Sequence, residues 1–206
     1  METGGAEVAR PFIERAHPTH PSLIDAAHLM DELFGVFNVP MGIWIDEAGT
    51  IVRPAEVAFS RTVVGTGRPL PEDMDPYLRD VLLEARKIRV EPEKYLTALR
   101  EWVLEGKHAL SPEEVVRRSR SRTPSMSLAA ANFELGQHLH REGLVREAVP
   151  YFREAHRLDP DNWTYKRQAW TFANPFQGPS EDYDSDWLSD TRKVGAENYY
   201  PPLDLS

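Results

Sequence analysis

Cysteine is absent from all 206 residues. Without a thiol the chain can form no disulfide, no thiolate nucleophile and no soft-metal centre. Positive charge is also short: 24 Lys and Arg stand against 33 Asp and Glu, a net charge of −9. A field of that sign repels phosphate and argues against nonspecific binding to nucleic acid or an anionic membrane. No apolar run reaches the roughly 18 residues that a membrane-spanning helix needs. The start, METGGAEVARPF, has neither the basic opening nor the apolar core of a signal peptide. These absences imply a cytoplasmic chain with no membrane or nucleic-acid partner. What remains is ordinary for a folded protein, 41% hydrophobic and 28% charged, and is enough for one or two compact domains.

Along the chain, Glu7–Ala16 reads as a short helix in which Pro11 must sit in the first turn to be tolerated. Asp25 can cap a helix AAHLMDELFGVF over 26–37, where Leu29, Leu33 and Phe37 recur every fourth residue with Met30 and Phe34 beside them. Met41–Ile45 reads as a strand buried on both faces. Asp46-Glu47-Ala48-Gly49 reads as a hairpin turn, and Thr50-Ile51-Val52 as a second strand that Pro54 ends. Asp46 and Glu47 are therefore turn residues and not an acid/base pair. Residues 59–76, with Gly65, Gly67, Pro69 and Pro71, read as a surface loop. Amphipathic helices follow over 76–89, with Tyr77, Val81, Leu82 and Ala85 inward, and over 91–105, with Tyr95, Leu96, Leu99, Trp102 and Val103 on one side.

That order resembles the C-terminal half of a thioredoxin-like domain of the TlpA/ResA and thiol-specific-antioxidant (AhpC/TSA) branch of redoxins. The residues that carry the resemblance are Leu23-Ile24-Asp25, the helix ending at Val36, Val39-Pro40, Trp44-Ile45-Asp46 and Gly49-Thr50-Ile51-Val52. It implies a cis bond at Val39-Pro40 and a peptide-binding role for the Val39 backbone beside Pro40, with 91–105 as the family's final helix. The first strand, the C-x-x-C helix and the second strand of the family have no counterpart here. Glu2-Thr3-Gly4-Gly5 reads as the exit of a strand, so the cysteine-bearing part is expected upstream in a longer frame, and the edge of the 41–45 strand is expected to lack its usual neighbours.

The second half has its own pattern. Leu135-Gly136, Leu139, Ala148, Phe152, Ala155 and Pro160 match the tetratricopeptide spacing, with Leu139 in place of the Tyr and Asn132 in place of the Trp. Small residues at 136 and 148 allow two antiparallel helices, 129–141 and 145–158, to approach around the Phe152 ring. Glu142-Gly143 is the turn, and Asp159-Pro160 the stop. One such repeat cannot bury both faces, so a helix at 112–118, the aromatic helix at 163–172 or the first half must cover it, with Trp163 or Trp170 expected on the open side. Ser119–Ser127 reads as a flexible basic linker. A helical piece at 187–194 precedes the stiff Tyr199-Tyr200-Pro201-Pro202, a tail expected to dock on its own domain. Redoxin half, helical module and this aromatic ending together resemble an actinobacterial-type redoxin subgroup.

The expected organisation is thus a partial α/β thioredoxin-like domain over 1–106, a helix and linker over 107–127, an all-α tetratricopeptide-like hairpin with capping helix over 128–174, and an aromatic tail over 175–206. Other chemistries find little footing. Gly65-Thr66-Gly67 lacks the rest of a phosphate loop. His138 and His140, two apart on a helix, point about 200° apart, and His17 and His20 flank a proline, so no metal site is expected. No catalytic residue and no cofactor is expected either. The function expected is a non-catalytic interaction module that takes a protein or peptide partner or another copy of itself. The alternative is the C-terminal portion of a thiol–disulfide oxidoreductase or peroxiredoxin-like protein whose catalytic cysteine lies upstream.

Overall fold

The computed structural model describes residues 5–61, 67, 69–119 and 121–206. Met1–Gly4, with the expected strand exit, Gly65-Thr66 of the Gly-Thr-Gly stretch and Arg120 of the expected linker lie outside them. The chain is mostly helical, with one small antiparallel sheet. In order come α1 (Gly5–Ala16), α2 (Leu29–Phe34), β1 (Met41–Ile45), β2 (Ile51–Val57), α3 (Pro76–Ala85), α4 (Pro92–Glu105), α5 (Pro112–Arg118), α6 (Pro124–Arg141), α7 (Val145–Leu158), α8 (Trp163–Ala173) and α9 (Trp187–Val194), then a 3-10 turn at Ala196–Asn198. Two compact units interleave along the chain. One holds α1 and α2 with α6, α7 and α8 through Gln168. The other holds Asn38–Ser119 together with Ala169–Ser206. This division differs from the consecutive segments expected from sequence, because contacts follow apolar surface and not chain order.

In the helical unit, α6 and α7 form an antiparallel hairpin. Thr123 caps α6 by accepting a hydrogen bond from the Met126 N–H at 3.2 Å, and Pro124 occupies the first turn, where no N–H is needed. The expected linker therefore shortens, since its last residues are already helical. Gly143, at φ 79°, makes the turn into α7. Gly136 is the reason the two helices can touch: a Cβ there would sit 2.8 Å from Phe152 Cε1. Phe152, Ala148 and Ala155 are buried, and Phe133 stacks on Tyr165 with centroids 4.1 Å apart. Tyr165 is thus one ring laid against this core, and Trp163, two residues before it on α8, is buried as well. Leu135 and Pro160 lie at the surface, and Leu139 is half-buried.

The N-terminal segment departs further. Pro11 lies well inside α1, not in its first turn. The helix expected over 26–37 is confined to Leu29–Phe34, because His28 before it is left-handed (φ 57°) and Gly35 after it likewise (φ 67°). Asp25 still caps it, its carboxylate oxygens accepting from Leu29 N–H at 3.0 Å and Met30 N–H at 2.7 Å. The apolar stripe is inverted, however. Leu29, Met30 and Leu33 are exposed, while His28 and Asp31 are buried as an Nδ1–Oδ2 pair at 2.9 Å.

In the other unit, β1 pairs with β2 across the expected turn. Asp46 accepts at Oδ1 from Ala48 N–H (2.9 Å) and Thr50 N–H (2.8 Å), and Gly49 takes φ 81°. Pro54 does not end β2. The register passes from Trp44↔Arg53 to Gly42↔Glu56, so Pro54 and Ala55 together face Ile43 in a bulge, and the missing proline N–H breaks no ladder bond. Nor is β1 buried on both faces: only Trp44 is buried and Ile45 is exposed. Among the described residues no other strand pairs with β1. The Val39–Pro40 bond is cis, as expected. Helix α3 stops at Ala85, earlier than 89, and Val103 on α4 is exposed in spite of its place in the expected stripe. One buried cluster here is Trp44, Tyr95, Ala98 and Leu203, with Trp102 stacked on Trp44 at 5.0 Å.

Candidate functional site

The site with most chemical content lies in the unit built on the hairpin. Gly42 on β1 lets Tyr95 of α4 come close, since a Cβ there would meet the Tyr95 hydroxyl at 2.5 Å. The Trp44 indole N–H then donates to the Tyr95 hydroxyl at 3.2 Å. Trp44, Tyr95 and Trp102 form an aromatic floor on which Leu203 and Leu205 of the tail are packed. Arg53, on β2 beside this floor, is fully buried (0% exposed). Its Nε and Nη2 donate to Glu56 at 2.8 and 3.1 Å, its Nη1 to the His108 carbonyl at 2.8 Å, and its Nη2 also to the Asp204 carbonyl. The guanidinium lies 5.4 Å from the Trp44 ring centroid. Burial pushes the Glu56 carboxyl up, an effect that the Arg53 pairing opposes.

Three further side chains converge on the same tail. Lys94 of α4 donates to the Leu203 carbonyl at 2.7 Å, the His108 Nδ1 meets the Leu205 carbonyl at 3.2 Å, and Arg118 of α5 donates to the Ser206 carbonyl at 2.8 Å. Arg118 Nη1 also stands 3.3 Å from an Asp204 carboxylate oxygen. The segment from Pro201 to Ser206 has no regular secondary structure. It is an extended peptide received through its main-chain carbonyls by basic side chains.

An open cleft of about 730 Å³ adjoins this tail. Val57, Phe59, Tyr95 and Tyr200 supply aromatic and apolar wall, and Arg86, Arg89, Glu91 and Glu197 line it with charges of both signs, the last three exposed. Phe59 meets Tyr200 edge to face at 5.2 Å. Tyr200 also reaches the residue expected to hold a peptide: its hydroxyl donates to the Val39 carbonyl at 2.6 Å, while the Val39 N–H donates to the Asn38 side-chain oxygen at 2.9 Å. Both Val39 main-chain groups are satisfied within this chain, so Val39 and Pro40 border the tail and do not present free edge groups. The sequence contained the needed residues, but no local pattern linked Arg53, Lys94, His108 and Arg118 to residues near 204. Only the stiff aromatic stretch Tyr199-Tyr200-Pro201-Pro202 hinted at a docked tail.

The helical unit offers less. Gly136, Ala148, Phe152 and Ala155 meet in its core and serve packing. The His28–Asp31 pair is inaccessible, with burial holding the Asp31 carboxyl up and bonds from His28 and Thr164 opposing that. Beside it a cavity of about 30 Å³, edged by Arg122, Asp159, Asn162 and Tyr165, has room for a single water. His138 is exposed and His140 half-buried. Among the described residues no group of three or more His, Asp or Glu is arranged to hold a metal, and no helix is long and apolar enough to cross a membrane. No family model, curated protein or solved structure matches the chain.

Proposed function

We propose that this chain is a non-catalytic peptide-binding protein, a cysteine-free relative of the TlpA/ResA-type redoxins joined to a tetratricopeptide-like hairpin, and that the cleft beside Tyr200 is its recognition surface. The cleft itself carries the reading. A concavity of about 730 Å³ with Phe59, Tyr95 and Tyr200 in its wall and opposite charges at its rim has the makeup of a ligand site, where aromatic surface supplies affinity and a few charges supply orientation. The order α2, Val39-Pro40, β1, acidic turn, β2 and α4 supports the kinship, and the lack of any cysteine leaves such a protein with binding as its activity.

Selection of a random peptide library on the immobilised full chain tests this. Extended peptides with apolar side chains should be enriched, and Phe59→Ala and Arg89→Glu should each weaken their binding by tenfold or so, which corresponds to about 1.4 kcal/mol. Failure to enrich any peptide, or binding indifferent to both substitutions, would refute the assignment.

A further inference from the structure

We infer that the groove under residues 203–206 is itself a peptide-recognition site, occupied by the chain's own tail, and that its ligand from another protein is an extended apolar–acidic–apolar segment of the Leu-Asp-Leu type. The inference rests on the peptide-binding reading above and deepens it, since the open cleft and the occupied groove share Tyr95 and Leu203.

Two observations distinguish a site from mere packing. First, every donor that receives the tail has its own anchor elsewhere in the same unit. Arg53 is held by Glu56 and by the His108 carbonyl, Arg118 by Glu114, His108 by Glu101 at 2.7 Å, and Lys94 by Glu91 at 3.5 Å. The acceptors of the tail could leave without releasing these side chains, so the donors are preorganised for an extended backbone. Second, the tail is read as peptide and not as sheet. Its Leu203, Asp204, Leu205 and Ser206 carbonyls accept from side chains of β2, α4, α5 and the His108 loop. Leu203 and Leu205 supply apolar anchors on the Trp44, Tyr95 and Trp102 floor, and Asp204 supplies a charge opposite Arg118. Pro201 and Pro202 are exposed, and their stiffness holds the segment extended before it docks, which lowers the entropy lost on binding. Because recognition runs through main-chain carbonyls and two spaced apolar side chains, any segment with that spacing and one acid between satisfies it. A tethered occupant competes with such a segment at an effective concentration of about millimolar, so the tail sets a threshold that a partner must exceed.

The test uses the full chain and a fluorescently labelled peptide of the sequence PPLDLS, read by anisotropy. Against the wild type the peptide should bind weakly. Against Leu203→Ser/Leu205→Ser, which unseats the tail, it should bind at least tenfold tighter, and adding Lys94→Ala or Arg118→Ala should reverse most of that gain. A folded double variant that binds no better than the wild type overturns the inference. If that variant does not fold, carboxypeptidase trimming of the wild-type tail is measured with and without excess peptide. Faster trimming with peptide supports exchange at the groove, and an unchanged rate overturns it. Dimers that exchange tails in light scattering, with no capture of the peptide, also overturn it by making a second copy the occupant. Library peptides that bind the open cleft and respond to Phe59→Ala, but not to the unseating of the tail, would leave the peptide-binding reading intact and remove only this inference.

Discussion

Arg53 and Gly136 show how much single residues decide here. Arg53 is buried with its charge met by Glu56 and by two carbonyls, so Arg53→Ala would leave the half-buried Glu56 carboxylate and both carbonyls without their partner. A loss of about 3–5 kcal/mol in urea unfolding is expected, and a change under 1 kcal/mol would contradict the assigned network. At Gly136 the difficulty is space: the added methyl of Gly136→Ala would press on the Phe152 ring at 2.8 Å, with an expected cost of about 1–3 kcal/mol. Phe152→Ala, which empties the same site, should cost about 3–5 kcal/mol. Glu114 carries the pH dependence that is easiest to measure. Hydrogen bonds from Arg117 and Arg118 pull its carboxyl down to about 2. A folded value below the unfolded one means that its contribution is present above the ordinary 4.5 and is lost as pH falls from there toward about 2. NMR titration should therefore find Glu114 still ionised at pH 3, and Glu114→Gln should flatten the acid limb of the stability profile in that window.

The elements differ in how far local sequence sets them. Helices α5 and α9 carry their own caps, Ser111 and Asp186 accepting hydrogen bonds at their N-termini and Gly195 following α9, while α7, without a side-chain cap, starts after the left-handed Gly143. The span read from sequence is accordingly the span observed for all three. The turn at Asp46–Gly49 is equally local. Helix α2 shows the opposite behaviour. Its four-residue apolar recurrence is a genuine helical period, yet Leu33 is 67% exposed and the buried side chains are polar. Periodicity says which residues share a face, and only the packing says which face is inside. Leu33→Asp is therefore expected to change unfolding free energy by no more than about 0.5 kcal/mol; a loss of several kcal/mol would mean that the stripe is covered in solution. For β2, proline suggested an end because a ladder N–H is missing. The bulge against Ile43 removes the need for that N–H, and a bulge depends on the partner strand.

For the molecule as a whole, the absence of cysteine leads to a direct expectation. The purified chain should reduce no insulin disulfide and no peroxide above buffer, because both reactions need a thiolate that Ser, His or Tyr does not replace at neutral pH. Turnover that persists after contaminating redoxins are removed would contradict it. The sequence by itself determined the absence of a thiol, the acidic charge, the sites of the tight turns, most helix positions and the small residues that let α6 and α7 approach, since each depends on side-chain chemistry or on neighbours a few residues away. Tertiary structure alone decided the interleaving of two units along the chain, the inverted face of α2, the stacking of Tyr165 on Phe133, and the cradle that brings Arg53, Lys94, His108 and Arg118 to residues 203–206. Those donors lie 88 to 151 residues from their acceptors along the chain, and their meeting is set by which apolar surfaces the folded chain buries together, a property that no local pattern records.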